Sequence, residues 1–469
     1  MTQAAALPAV LARLDADADA ALDRLSALLR RPSISTDPAY AQACADTAEA
    51  LAADLRALGF AAEARDTGGH PAVVADGAAL AGPGADDAPS VLFYGHYDVQ
   101  PVDPLELWEA DPFDPAVVEV EGGAQAIRAR GAADDKGQLM TFVEACRAWL
   151  AETGSLPLRV TILLEGEEEC GSPSLPGFIR ANRDDLARDL ALICDTGMWD
   201  AETPAITASL RGLVGEEITV HAADRDLHSG IYGSAAANPL RVLSRILADL
   251  HDDQGRVTLA GFYDTVGEPP EAMKGPWDSL GFDVAGFLGE VGLSVPAGEA
   301  DRTPLEQIWS RPTCEINGIA GGYAGDGFKT VIPAKATAKV SCRLAGRQDP
   351  DAVRAALRAH VEARLPADCR VEFHAHGSGP ATVMDVDSPA FEAARRALSE
   401  EWEREAVFIG SGGSIPVAGL FRDVLGQESL MVGFGLEDDR MHSPNERYRL
   451  KSFRKGARSW ARILAALAG

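Results

Sequence analysis

The sequence predicts an α/β fold: a mostly parallel sheet with helices on both faces, interrupted by an inserted α+β domain. Three observations carry this reading. Short apolar runs alternate with segments of helical periodicity through the first 210 residues, as expected for a parallel sheet buried on both faces. The pattern changes at Arg211, where strand-like and helix-like segments surround a Gly- and Pro-rich stretch from Gly261 to Pro312. After Gly377-Ser378-Gly379-Pro380, which reads as a hinge or domain boundary, the earlier style returns. The expected organisation is residues 1–210 and 378–469 as one domain and residues 211–377 as the insert. A chain of 469 residues is too long for one ordinary core and suits two or three domains.

The elements follow in order. Ala9–Leu29 and Ala39–Leu58 space their apolar residues as helices do, and Gly59 ends the second. Ser90–Tyr94 (SVLFY) reads as a short buried strand, Gly137–Glu152 as a helix after a polar loop, and Leu158–Leu164 and Leu190–Cys194 as further strands. In the insert, Glu217–His221, Ala334–Leu344 and Arg370–Ala375 look like strands, and Asn238–His251 and Asp351–Leu365 like helices. The tail holds a helix at Ser388–Glu403, a strand at Leu430–Phe434 and a closing helix at Lys451–Leu467.

Net charge is −28 at pH 7. Such a surface repels nucleic acid and anionic membranes, so neither is an expected partner. No apolar run is long enough to cross a bilayer. Asp15, Asp17, Asp19 and Asp23 interrupt the stretch a secretory signal would need, so the cytoplasm is the expected location. The seven cysteines form no C-x-x-C pair, which argues against a disulfide framework or a Cys-rich zinc knuckle. Any metal must therefore be held by His, Asp and Glu.

Four polar clusters follow apolar strands directly: His96 and Asp98 after SVLFY, Glu167-Glu168-Glu169 after LRVTILLEG, Asp195 after LALIC, and His442 shortly after LMVGFG. A fifth, Arg130-Gly131-Ala132-Ala133-Asp134-Asp135-Lys136-Gly137, opens a helix. Binding sites of open α/β sheets form beyond the carboxyl ends of the strands, where these groups can converge. Two histidines and several carboxylates there make a site for Zn²⁺ or Mn²⁺. Taken singly, each cluster has a plainer account: a loop histidine, a solvated acidic face, or carboxylates capping a helix.

Gly95-His96-Tyr97-Asp98-Val99-Gln100-Pro101, the Arg130–Gly137 motif and Glu165-Gly166-Glu167-Glu168-Glu169 together resemble the signatures of the M20 metallopeptidases. That family includes carnosinase-like dipeptidases, carboxypeptidase G, acetylornithine deacetylase, succinyl-diaminopimelate desuccinylase and aminoacylase. Asp226-Leu227-His228-Ser229-Gly230-Ile231-Tyr232-Gly233, Lys329-Thr330-Val331-Ile332-Pro333 and Gly412-Gly413-Ser414-Ile415-Pro416 are similar to the cytosolic dipeptidase branch. The resemblance runs from about residue 10 to the C-terminus.

The resemblance implies two divalent ions per chain, Zn²⁺ foremost, with Mn²⁺ or Co²⁺ as alternatives. His96 and Asp195 would bind one ion, Glu169 and His442 the other, and Asp134 both. Asp98 would orient His96 by accepting its second N–H. The Glu run leaves a one-residue ambiguity, which the family pattern Glu-Glu-x-Gly-Ser resolves with Glu168 as general base and Glu169 as ligand. Glu167 would then be a bystander. The insert would act as a lid and dimerisation domain, with His228 reaching across a homodimer interface to help hold the oxyanion. Arg343 would pair with the substrate carboxylate, and Thr330 and Ser414 would add hydrogen bonds.

The implied reaction is hydrolysis of a dipeptide at the amide bond next to a free carboxylate. It requires an activated water, a stabilised oxyanion and a base that is not itself a ligand. Removal of an N-acetyl or N-succinyl group from an amino acid is the alternative, since it uses the same centre. An inactive metal-binding scaffold is a third reading. It predicts loss of the base or a ligand, and none is missing. His374 and His376 share one strand face but read as surface residues. One departure stands out: carnosinase-like relatives often carry Arg-Glu where this chain has Gly410-Ser411, which puts the substrate side chain in question more than the reaction.

Overall fold

A computed structural model describes residues 3–413 and 415–469. The chain divides into two compact units: residues 1–208, 384–409 and 417–469 form one, and residues 209–383 and 410–416 the other.

The first unit is built on a mixed sheet. Its centre is parallel, in the order Val160–Glu165, Val91–His96, Leu190–Ile193, Glu428–Met431. Antiparallel strands flank that centre: Ala61–Arg65 and Ala72–Asp76 on one side, Ala205–Leu210 on the other. All six residues of both Val91–His96 and Val160–Glu165 are buried, which is why these strands read as unbroken apolar runs rather than alternating ones. The flanking strands are short and Ala-rich, and their composition gave little strand signal.

Helix Lys136–Thr153 packs on strand Val91–His96 and on the closing helix Leu450–Ala468. An aromatic cluster fastens the three. Phe93 and Phe142 stack at 3.9 Å, and Trp460 meets them edge-on at 5.9 and 5.5 Å. None of the three rings is exposed. Gly137 lets the helix start tightly, since a Cβ there would lie 1.9 Å from the Ala132 carbonyl oxygen and 2.8 Å from the Tyr448 ring. A second, three-stranded sheet pairs Arg447–Arg449 with Gln125–Arg128, and that strand with Ala116–Glu119.

The second unit carries an antiparallel sheet ordered Thr313–Gly321, Lys335–Leu344, Gly212–His221, Arg370–Gly379. Helices Pro239–Ala248 and Pro350–Glu362 cover it, burying Val214, Ile218 and Val340 against Leu243, Ile246 and Leu357. The Gly377–Gly379 segment, read from composition as a hinge, is instead the end of strand Arg370–Gly379. The strand absorbs its glycines through a register shift between Ala375 and Ser378. The Gly/Pro-rich stretch holds only short helices, the last of them, Pro304–Trp309, closed by a capping box between Thr303 and Glu306. Among the described residues no helix is long and apolar enough to cross a membrane.

Candidate metal centre

The parallel strands deliver their polar residues to one edge of the first unit. His96 is the last residue of its strand, Glu168–Cys170 form a short 3-10 turn after the next, and Asp195 follows Leu190–Ile193 by two residues. Asp134 stands two residues before helix Lys136–Thr153. His442 lies in the turn after Glu437–Asp439, with its backbone in the left-handed region at φ 60°.

These residues form two triads that share a member. His96, Asp134 and Asp195 offer ligand atoms within 4.8 Å of one another, and so do Asp134, Glu169 and His442. His96 Nε2 is 3.0 Å from Asp134 Oδ1 and 3.9 Å from Asp195 Oδ2. His442 Nε2 is 2.9 Å from the other Asp134 oxygen and 3.3 Å from Glu169 Oε2. Asp134 thus presents one oxygen to each histidine.

Around them, His96 Nδ1 lies 3.1 Å from the Asp98 carbonyl and 3.4 Å from its carboxylate. The closer contact is therefore with the backbone. The Asp98 carboxylate also accepts the amide N–H groups of Glu168, at 3.3 Å, and Glu169, at 3.0 Å, and so sets the turn that presents both acids. Gln100 donates to Glu169 Oε2 at 2.7 Å.

Charge in this small volume is unevenly matched. Burial alone would raise the Asp134 carboxyl, but hydrogen bonds from His442 and His96 hold it well below the usual carboxylate range. Burial, with Asp134 nearby, pushes Asp195 up to about 7. Burial likewise raises Glu168. The Asp134 and Glu169 carboxylates lift His442 to about 10. Burial opposes protonation of His96, yet Asp134 and Asp98 raise it well above its ordinary value. The set therefore attracts cations. Imidazole and carboxylate donors without thiolate suit Zn²⁺ or Mn²⁺, so the residues present fit divalent metal.

The model of peptidase family M20/M25/M40 matches residues 92–466. The chain belongs to this family. It is similar to the Cys-Gly metallodipeptidase of Schizosaccharomyces pombe, with 30% identity over 97% of each chain. It is also similar to the rat beta-Ala-His dipeptidase, with 30% identity over 89% of this chain and 86% of the relative. Among solved structures it resembles the M20 family metallo-carboxypeptidase Sso-CP2 of Sulfolobus solfataricus, at TM-score 0.79 and 31% identity, covering 96% of this chain and 99% of that one. As a family member the chain is a metal-dependent hydrolase, its family binds divalent metal, and its dipeptidase relatives act on dipeptides.

Of the remaining sequence-predicted residues, His228, Thr330 and Arg343 lie in the second unit. His228 is exposed in the two-residue strand Leu227–His228, which pairs with Val331–Ile332, and the Ser229 amide donates to the Thr330 carbonyl at 3.1 Å. The structure thus brings His228 and Thr330 together. Arg343 stands near the far end of strand Lys335–Leu344, opposite Leu213 and Thr313. Ser414 lies outside the described residues.

Sequence reasoning missed several supporting groups. Gln100 lies within the Gly95–Pro101 motif but carries no chemical signal of its own. Arg211 places its guanidinium against the carbonyls of Gly412, at 3.3 Å, and Gln307, at 3.4 Å; burial and the neighbouring Arg343 lower it to about 10. Glu446, four residues after His442, is wholly buried in hydrogen bonds to the Asp134 loop. Its closeness to His442 in sequence was the one available signal.

Proposed function

We propose that the chain hydrolyses dipeptides at the amide bond next to a free carboxylate, using two divalent ions and Glu168 as general base. The observation that carries this is Asp134, whose two carboxylate oxygens serve two separate ligand triads. A single-ion site has no use for such sharing. His96 and Asp195 would hold one ion and Glu169 and His442 the other, with Zn²⁺ foremost and Mn²⁺ or Co²⁺ able to replace it. When bound, the ions supply Lewis acidity, which makes water more acidic and polarises a carbonyl. Glu168 takes the proton of the attacking water and returns it to the leaving amine. Its raised carboxyl suits a group that must hold a proton in mid-reaction. Arg343 pairs with the substrate carboxylate, and Ser414 adds a hydrogen bond.

His228 and Thr330 act on the substrate of the partner subunit in a homodimer formed through the second unit, the inserted lid. One distance supports this. Arg343 lies eight residues beyond Lys335 on an unbroken strand, and His228 pairs with Val331 on the other side of Lys335. At 3.3 Å per residue, the run from Lys335 to Arg343 alone covers roughly 26 Å, while a dipeptide spans about 7 Å. Such a separation supports a shared site, in which a two-fold axis supplies the second group reciprocally. The expected compartment is the cytoplasm.

A hydrolysis screen tests the reading: dipeptides against N-acetyl and N-succinyl amino acids, each with Zn²⁺, Mn²⁺ and Co²⁺. Dipeptides should turn over with the larger kcat/KM. Preference for the acylated amino acids would assign deacylation at the same centre. No turnover of any substrate by a metal-replete chain would leave a binding scaffold.

A further inference from the structure

We infer that Glu446 is a positioning residue for the metal centre: its buried carboxylate holds the loop that presents Asp134. The inference rests on the two-metal reading above and adds a residue that lies outside both triads.

The geometry is specific. Glu446 Oε1 accepts the backbone N–H of Ala133 at 2.8 Å and of Asp134 itself at 3.1 Å. Oε2 accepts the Gly131 N–H at 2.9 Å and the Arg130 guanidinium at 2.8 Å. Two donors meet each oxygen. Glu446 is 0% and Arg130 1% exposed. The backbone continues the link, since the Ala129 N–H donates to the Glu446 carbonyl at 3.1 Å and Arg447–Arg449 pairs with Gln125–Arg128.

The same anchor fixes a second ligand. His442 and Glu446 lie in one turn, in which Arg440, His442 and Asn445 all take left-handed backbone conformations, with φ between 59° and 64°. Non-glycine residues hold such conformations only where their surroundings impose them. Asn445 is tied by two hydrogen bonds, accepting from the Glu109 amide at 2.8 Å and donating to the Leu107 carbonyl at 2.9 Å. Glu446 ties the next residue to the Asp134 loop. One carboxylate therefore sets the spacing between the shared ligand and His442, and outer residues of this kind commonly change metal affinity or activity about 10- to 100-fold.

The test compares the wild-type chain, Glu446→Gln and the double variant Arg130→Gln/Glu446→Gln. Glutamine keeps the shape but has one acceptor oxygen, so one pair of N–H groups faces an NH₂ group instead. The double variant removes both buried charges together and so avoids leaving Arg130 unpaired. Zn²⁺ affinity is measured by competition with a chromophoric chelator, the Co²⁺ absorption spectrum is recorded, and urea unfolding is followed with excess chelator. Both variants should bind Zn²⁺ about 10- to 100-fold more weakly at one or both sites. Both should show an altered Co²⁺ spectrum and lower kcat with little change in KM, while the double variant unfolds near the wild-type midpoint. Unchanged affinity and spectrum in both variants would overturn the positioning role alone. So would losses in Glu446→Gln that disappear in the double variant, since folding would then explain them. A wild-type chain that binds fewer than two equivalents would overturn the two-metal reading and this role with it.

Discussion

Replacing Glu168 and Glu169 one at a time separates base from ligand. The Glu168 and Glu169 amides are both held by the Asp98 carboxylate, so Glu168→Gln leaves the turn in place and changes only the side chain's charge. Among the described residues no group hydrogen-bonds the Glu168 carboxylate, whereas Glu169 is engaged by Gln100 at 2.7 Å and His442 at 3.3 Å. Glu168→Gln should therefore keep both metals and the fold. Loss of a principal acid–base group should lower kcat by about a thousandfold, which is about 4 kcal/mol of transition-state stabilisation. Glu169→Gln removes a charge from one triad and should lose one of two metals, with activity falling as a consequence. The assay is metal content by mass spectrometry on desalted protein, with kcat and KM on the best dipeptide of the screen. A Glu168→Gln chain that loses metal beside a Glu169→Gln chain that keeps both would refute the assignment and move every role one residue along.

Other outcomes follow from the same geometry. Gly137→Ala puts a Cβ 1.9 Å from a backbone oxygen, which no rotamer can relieve. It should destabilise the first unit by about 3 kcal/mol in urea unfolding, the upper end for overpacking, and weaken metal binding through the displaced Asp134 loop. Mixing Glu168→Ala and His228→Ala chains under conditions that exchange subunits should restore up to about half the native activity per heterodimer, since one site there is whole; no recovery despite proven exchange would count against the shared site. In the second unit, burial raises the Glu306 carboxyl, but Lys274 at 2.7 Å and the Thr303 amide bring it down to about 2. Because the unfolded chain binds that proton more readily, this contribution is full above about pH 5 and is lost as pH falls toward 2. Glu306→Gln should flatten that acid limb by an amount on the order of 2 kcal/mol, reduced by the solvent around Lys274 and Glu268.

Much of the fold was legible because parallel strands buried on both faces write themselves as unbroken apolar runs. Val91–His96, Val160–Glu165 and Leu190–Ile193 lie within a residue or two of where SVLFY, LRVTILL and LALIC put them. The strands that escaped notice have other origins. Gln125–Arg128 and Arg447–Arg449 are short and carry charged residues, and their antiparallel pairing with each other is not written in either sequence alone. Thr313–Gly321 is an edge strand with most of its residues outside the core, so its sequence lacks a clean alternation. Gly377–Gly379 misled for the opposite reason: glycine marks hinges and strand irregularities alike, and only the pairing with Gly212–His221 tells them apart.

The Glu run shows where residue type stops being informative and hydrogen-bond donors take over. Glu167, Glu168 and Glu169 are chemically identical, yet the turn after Val160–Glu165 sends them to different surroundings. The Glu167 carboxylate accepts the His70 amide at 3.0 Å and the Ser174 amide at 3.1 Å. Far from being a bystander, it ties two loops to the site's edge, and a Cβ on Gly69 would fall 1.8 Å from its oxygen. Glu169 meets a donor amide side chain and an imidazole. Glu168 has neither, and burial without a donor is the condition that raises a carboxyl. What separates the three is the supply of N–H groups from His70, Ser174, Gln100 and His442, remote in sequence or on the far side of a turn. A one-residue slip would give the loop anchor the place of the proposed base and the base that of the proposed ligand. The three acids are therefore interchangeable in composition and not in surroundings, and the Asp98 carboxylate accepts the two amides between them.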